Sequence, residues 1–395
     1  MAHVEIIRRA YLQKLREMME QRDTIKIITG SRYSGKSYLL CQFRERLISM
    51  GIPEGDIIFV PLEDRQAEIS NAVQLESYVK ASAPQSGGFL LIDDIQMIPD
   101  VGAALCRLRD RGLSIYAVLP YAATDQGAET VASLGKTEIL NILPFSFKEF
   151  LDAYPISDEH GYGERFEQYI MLGGTPFIDI DANPKDSFIL FEGVFNLILN
   201  WDIGMQTKID TAAISRLAIY IFNNVSTITT LSALRQNYNV TDQRTVVKYI
   251  KYMIDYGMIM RADAIDLSDM RKLGVKAKYF VVNMRDSRGF TPRGPIGTQR
   301  ENIIENLVFI ELIRRGYEVY AGYYRGSDVG LYCVKDKEKM IVKTVFSVAD
   351  DRAKGKDYKA FVAAPGKKVL LTSDRGMNGF YNGIEYKNII SFLLQ

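Results

Sequence analysis

The segment GSRYSGKS, residues 30–37, constrains this chain more than any other stretch. A β-branched run, Thr24–Thr29, leads into it, and Leu39, Leu40, Phe43 and Leu47 follow at helical spacing. A glycine-rich turn between strand and helix lets backbone N–H groups converge on phosphate oxygens, and the helix N-terminus adds partial positive charge. The spacing G-x-x-x-x-G-K-[ST] puts Gly30, Gly35, Lys36 and Ser37 in the fixed places of a P-loop. Gly30, Ser31, Arg32, Tyr33, Ser34, Gly35, Lys36, Ser37 and Tyr38 are therefore the expected contacts of a nucleoside triphosphate. Lys36 would reach the β- and γ-phosphates, and Ser37 would ligate Mg²⁺. The plainer alternative is a glycine-rich strand–helix turn that holds no ligand.

A P-loop needs a second carboxylate on the metal side, at the end of an adjacent buried strand. GFLLIDD supplies one: four apolar residues lead into Asp93, the expected Mg²⁺ ligand. Asp94 follows where many such ATPases place a water-polarising glutamate, so Asp94 and Lys36 are the expected catalytic pair. An aspartate is one methylene shorter. The next strand, within SIYAVLPYAATDQ, ends on apolar residues and Pro120, where a polar residue should sense the γ-phosphate; Thr124 is a weak substitute. This gap predicts slow hydrolysis, or nucleotide binding without turnover.

Residues 24–144 alternate short unalternating strands with helical segments, which predicts a parallel sheet covered on both faces. With 395 residues the chain is too long for one ordinary domain. Three are expected: 1–150, an α/β P-loop domain; 151–275, a helical lid followed by a winged-helix-like module; and 276–395, an α/β domain. The expected link is Val282–Gly297, rich in Gly, Pro and Arg, and a turn is expected at Gly173–Pro176. The formal net charge of +1 gives no global attraction to nucleic acid or membrane. Three scattered cysteines and only His3 and His160 argue against a disulfide scaffold and a zinc site. Charges interrupt the first nineteen residues, and Glu192 breaks the apolar run Phe188–Trp201, so no membrane association and a cytoplasmic location are expected.

In the middle of the chain, Ser215–Asn223, Thr230–Asn237 and Asp242–Tyr256 read as three helices, with Met258–Ala262 and Lys278–Val282 as a two-strand wing. Val247, Ile250 and Ile254 are expected to pack inward, leaving Arg244, Lys248 and Lys251 as a basic stripe toward DNA phosphates, or as a solvated or protein-docking face. The last domain reads helix, three strands, helix, strand, similar to a restriction-endonuclease-like fold. A nuclease of that kind needs a helix glutamate, a strand aspartate and an acid-x-lysine. Glu305 and Lys343 fit, but Gly330 and Ile341 stand where acids should be, and Asp328 comes two residues early. Nuclease activity is not expected.

IKIITGSRYSGKSYLL, FLLIDDIQ, LPFSFKEFL, MLGGTPF, TVVKYIKYMIDYGMI and ENIIENLVFIELIRRGYEVYAG occur in this order. Together they resemble the prokaryotic predicted ATPases that join an AAA-type P-loop domain to a C-terminal nuclease-like domain of unknown function. The resemblance implies ATP as ligand. It departs at Tyr33, where the family has arginine, at Asp94, where it has glutamate, and after the fourth strand, where a T-G-S end is missing. The expected function is a slow AAA-type ATPase that uses ATP·Mg²⁺ to reposition its C-terminal domains. The alternative is a nucleotide-gated module that binds a DNA or protein client without hydrolysis. Arg107, Arg109 and Arg111 are conceivable charge stabilisers or simply an exposed basic helix.

Overall fold

The computed structural model describes residues 6–61, 69–82, 87–156, 161–175, 184–207, 209–238, 242–283, 296–349 and 355–395. The chain divides into two compact units, Met1–Pro144 with Asp255–Gly257, and Phe145–Ile254 with Met258–Gln395.

In the first unit five strands form one sheet: β1 (Ile25–Gly30), β2 (Ile57–Val60), β3 (Phe89–Ile92), β4 (Ser114–Val118) and β5 (Thr137–Ile142). Their order is β2-β3-β4-β1-β5, and every neighbouring pair is parallel. This is the expected α/β sheet of a P-loop NTPase fold. Parallel strands need crossover helices, and α1 (Arg9–Glu17), α2 (Lys36–Ser49), α3 (Ala72–Ser82), α4 (Val101–Asp110) and α5 (Asp125–Ser133) accompany them. One face of the sheet presents Ile25, Ile27, Leu90 and Ile115 to Leu75, Val79, Leu105 and Leu108 of α3 and α4. The other presents Ile28, Leu91, Tyr116 and Val118 to Leu15 of α1 and Leu39, Leu40 and Phe43 of α2. Burial on both faces is why β2, β3 and β4 read as apolar runs, each buried apolar side chain contributing roughly 1.5–3 kcal/mol.

The second unit begins with α6 (Phe147–Ala153), whose first turn is closed by a capping box between Ser146 and Glu149. Next come α7 (Gly161–Leu172) and α8 (Pro184–Asn196), which runs into a π-helix, Leu197–Gly204. Gly173 (φ 72°) and Gly174 follow α7; a Cβ on Gly174 would lie 2.3 Å from the Phe145 carbonyl oxygen, so the close approach needs glycine. Of the turn expected here, Pro176 lies outside the described residues, as do residues 284–295 of the expected link.

Three helices then occur where the spacing predicts them: α9 (Thr211–Asn223), α10 (Leu231–Tyr238) and α11 (Gln243–Asp255). The inward face of α11 is a correction. Val246, Tyr249, Ile250 and Met253 are buried, whereas Val247 is 46% exposed. Adjacent valines offer two overlapping apolar stripes, and the one aligned with the bulkier Tyr249 and Met253 buries more surface.

The described residues of this unit also form a nine-stranded sheet, ordered β13-β14-β12-β11-β10-β9-β7-β8-β6. The strands are β6 (Ile228–Thr230), β7 (Ile259–Asp266), β8 (Arg271–Val281), β9 (Glu318–Tyr324), β10 (Ser327–Lys335), β11 (Glu338–Val345), β12 (Lys367–Thr372), β13 (Gly379–Tyr381) and β14 (Ile384–Asn388). β7 and β8 are antiparallel, and β7 also pairs in parallel with β9. The boundary expected after residue 275 therefore falls inside β8, with strands from either side of it in one sheet. The boundary expected after residue 150 falls inside α6. Helix α12 (Ile296–Arg314) covers β8, where Phe280 and Phe309 stack at 3.7 Å. Asn306 is fully buried and exchanges two hydrogen bonds with the Val281 backbone, completing the pairing of a strand end. Two further helices, α13 (Lys356–Ala363) and α14 (Ile389–Leu393), complete the unit. Among the described residues, no helix is long and apolar enough to cross a membrane.

Candidate nucleotide site

The P-loop leaves the carboxyl end of β1, a strand flanked by β4 and β5, and enters α2. In an open α/β sheet this carboxyl edge is where ligands bind. Gly30 has φ 148°, and a Cβ there would lie 2.3 Å from the Ile142 carbonyl oxygen on β5. Gly35 is left-handed (φ 88°, ψ 32°) at the N-cap of α2. Tyr33 also has positive φ, 59°. These turns gather Ser31, Arg32, Tyr33, Ser34 and Gly35 into a tight loop, closed by a hydrogen bond from Ser34 N–H to Ser31 O at 3.2 Å. Lys36 is 9% exposed, and its Nζ donates to the carbonyls of Gly30 (3.2 Å) and Ser31 (2.9 Å). Ser37 and Tyr38 face outward on the first turn of α2. Ser34 Oγ is buried without a hydrogen-bond partner among the described residues.

Asp93 ends β3 and is buried, 6% exposed. Its Oδ1 accepts from Asp94 N–H at 3.1 Å. Burial raises the pKa of the Cys41 thiol most and the Asp93 charge raises it next, so the carboxylate lies within electrostatic reach of Cys41 on α2. The Asp94 backbone is left-handed (φ 49°), and its Oδ1 accepts from the Gln96 amide at 2.9 Å. Thr124 serves as the N-cap of α5, accepting from Gly127 N–H and donating to Tyr121 O, so its hydroxyl has structural work. Arg107 binds Glu76, and Arg109 binds Asp110 and the Leu134 carbonyl.

Sequence reasoning missed Arg8. It is 1% exposed, and its guanidinium donates to Ser34 O and Leu143 O, both at 2.8 Å. The same residue's N–H donates to Gln42 on α2 at 3.3 Å. One side chain therefore ties the P-loop to the end of β5. Nothing in its local sequence marks it, because its partners lie 26 and 135 residues away. Tyr256 was missed likewise: its ring packs on Tyr121 at 4.8 Å, beside the apolar end of β4. The adjoining Gly257 (φ 68°) passes so close to Ser31 that a Cβ would lie 3.1 Å from the serine Cβ.

In the second unit, the pairing of β10 with β9 shifts register by one residue between Asp328 and Gly330. The Asp328 carboxylate meets Lys278 Nζ at 2.8 Å, and Glu305 meets the same nitrogen at 2.7 Å. Lys343 Nζ donates to the Asp328 carbonyl at 3.2 Å. Gly330 has φ 98°, and a Cβ there would lie 2.4 Å from Val342 O, so no side chain is tolerated at that position. Ile341 is buried in the apolar core. Among the described residues, no group of three or more His, Cys, Asp or Glu could hold a metal ion.

Residues 22–151 match a family described as an AAA domain. The chain is 27% identical over 405 residues to an uncharacterized protein of Haemophilus influenzae, covering 100% of both chains. It is 25% identical over 308 residues to an uncharacterized protein of Methanocaldococcus jannaschii, covering 74% of this chain and 67% of that one. Among solved structures it is similar to the Aeropyrum pernix Orc1 protein in complex with DNA, at 12% identity and a TM-score of 0.30, covering 79% of this chain and 95% of that one. The part of the chain that is similar to AAA domains is thus the part that holds the P-loop, Asp93 and all five parallel strands of the first sheet.

Proposed function

We propose that the first unit binds ATP with Mg²⁺ and hydrolyses it slowly, and that binding or hydrolysis repositions the helical and C-terminal parts of the chain. The observation that carries this reading is the P-loop in its strand–helix setting, with Lys36 held by two carbonyls of its own loop. Its residues fit the ligand: Gly30 admits no Cβ, Gly35 turns the backbone into α2, and the helix begins at the loop. On binding, Lys36 exchanges the Gly30 and Ser31 carbonyls for phosphate oxygens. The loop's N–H groups donate to the same anion. Arg8 keeps the loop in shape by holding the Ser34 carbonyl. Ser37 and Asp93 would hold Mg²⁺, which supplies charge neutralisation between the phosphates. Asp94 is the candidate base, but its carboxylate is short and engaged by Gln96, which supports slow turnover.

A second reading has its own observation. An open groove of about 570 Å³ is lined by Arg235 on α10 and by Asp242, Gln243, Arg244 and Val247 at the start of α11. Arg244, Lys248 and Lys251 are exposed. This supports a winged-helix-like module that presents a basic face to DNA or to an acidic protein under nucleotide control, without hydrolysis. In both readings the C-terminal part of the second unit acts as a docking surface that does not cut nucleic acid.

Calorimetric titration with ATP·Mg²⁺, followed by phosphate-release assays with and without duplex DNA, separates the readings. Binding with slow release supports the first. Binding with no release selects the second. Absence of binding rejects both.

A further inference from the structure

The cluster around Lys278 plays no part in the nucleotide reading and stands or falls apart from it. Lys278 lies on β8 and is 1% exposed. Glu305 Oε1 from α12 and Asp328 Oδ2 from β10 lie 2.7 and 2.8 Å from its Nζ. Two carboxylate oxygens from separate elements thus converge on one point, and that point is occupied by a positive charge. The Glu305 side chain is 12% exposed and that of Asp328 28%, and Lys343 adds a second positive charge near both carboxylates. Two buried carboxylates facing each other without a cation are strongly unfavourable. Some cation is therefore obligatory.

Convergent carboxylate oxygens are the donor set that hard divalent cations select. The register of β10 shifts between Asp328 and Gly330, and Gly330 N–H donates to Asp328 Oδ1 at 2.8 Å, which holds this carboxylate in place on β10. We propose that Lys278 is a built-in cation that fills a divalent-metal seat formed by Glu305 and Asp328, closing it to Mg²⁺ or Mn²⁺ in this chain. Removing the ammonium opens the seat to a hard divalent ion. The three groups respond differently: for Glu305 burial outweighs Lys278 and raises the carboxyl pKa. Burial alone would lower the Lys278 pKa, but the charges of Asp328 and Glu305 reverse the direction and raise it. For Asp328, burial raises the carboxyl, yet Lys278 and then Lys343 outweigh it and leave the pKa lowered.

The test uses the full chain without nucleotide and Mn²⁺ as the probe, read by calorimetry and electron paramagnetic resonance. Wild type is compared with Lys278→Ala and with Lys278→Ala carrying Glu305→Gln and Asp328→Asn. The expected result is one additional Mn²⁺ in Lys278→Ala, bound at least about tenfold more tightly than in the triple variant. Its melting temperature should rise with Mn²⁺. A Lys278→Ala protein that is unfolded alone but folds when Mn²⁺ is added supports the proposal equally. Three results overturn it: a folded Lys278→Ala that binds no additional Mn²⁺, an unfolded one that Mn²⁺ does not recover, and a wild type that already binds Mn²⁺ through Glu305 and Asp328. The first of these would leave Lys278 as an ordinary buried ion pair.

Discussion

Lys36 and Lys278 are both buried, and both hold polar partners within hydrogen-bond distance, yet the hydrogen bonds described for them differ in kind. Lys36 rests on two neutral carbonyls five and six residues before it. Lys278 rests on two carboxylates, 27 and 50 residues after it in sequence, from a helix and another strand. A neutral carbonyl gives an ammonium little to lose, so an anionic ligand can draw Lys36 away from its loop. Two buried carboxylates bind an ammonium so strongly that its departure leaves uncompensated charge. The first arrangement suits a group that must change partners; the second suits one that must not. The same residue type, at similar burial, is a candidate ligand-binding group in one unit and a fixed structural cation in the other.

The sharpest way to break this contrast is stability. Lys278→Met should cost about 3–5 kcal/mol, because it leaves two buried carboxylates facing each other. Lys36→Met should cost less, about 1–3 kcal/mol for its hydrogen bonds to Gly30 and Ser31. Chemical denaturation of both variants measures this, and similar costs would erase the distinction. Next in size is the ligand response. With ATP·Mg²⁺ at one hundred times its Kd, the protein should gain about 2.7 kcal/mol by mass action. In Lys36→Ala the accompanying rise in melting temperature should vanish, whereas an undiminished rise in the mutant would place the nucleotide elsewhere.

Turnover comes third. Asp94→Glu lengthens the carboxylate past the Gln96 amide and should raise steady-state phosphate release by about tenfold, within the range of general-base effects. If wild type already turns over at an ordinary enzymatic rate and the change leaves it unaffected or lower, Asp94 already works as the base.

A third buried lysine sharpens the comparison, with the smallest expected effect. Lys26, fully buried on β1, donates to Ser114 Oγ at 3.2 Å, and burial lowers its pKa from 10.5 to about 8. A depressed lysine pKa means that the folded state binds its proton less well than the unfolded state. The penalty is complete below pH 8, shrinks as pH rises from 8 to 10.5, and is gone above. Lys26→Met should therefore raise the melting temperature at pH 7 by about 2–4 °C. That advantage should fade between pH 8 and 10.5, and an advantage independent of pH would show that packing, not charge, is responsible.

Local order was legible in the chain itself. Apolar runs marked β2, β3 and β4 because both faces of a parallel sheet are covered there, and the glycine and lysine spacing marked the strand–loop–helix turn at residues 30–37. Asp93 was legible for the same reason: a carboxylate at the end of a buried strand stands at the sheet's ligand edge. Side chains whose partners come from distant elements were not legible. Asp328 read as two residues early for a metal ligand, and nothing in its local sequence points to its partner Lys278. Val247 read as buried because two apolar stripes overlap on α11, and only packing chooses between them.

By itself, then, the sequence determined the parallel P-loop sheet, the Gly30–Ser37 loop and the positions of Asp93 and Asp94, all properties of short contiguous segments. The tertiary structure alone decided that Arg8 braces that loop, that Asp94 turns to Gln96, that β7 and β9 join the middle of the chain to its C-terminal strands, and that Lys278 sits on Glu305 and Asp328. The physical reason is range. Strand and helix periodicity are written in residues two to four apart, whereas the partner of a buried charge is whichever group the completed fold brings within about 3 Å of it.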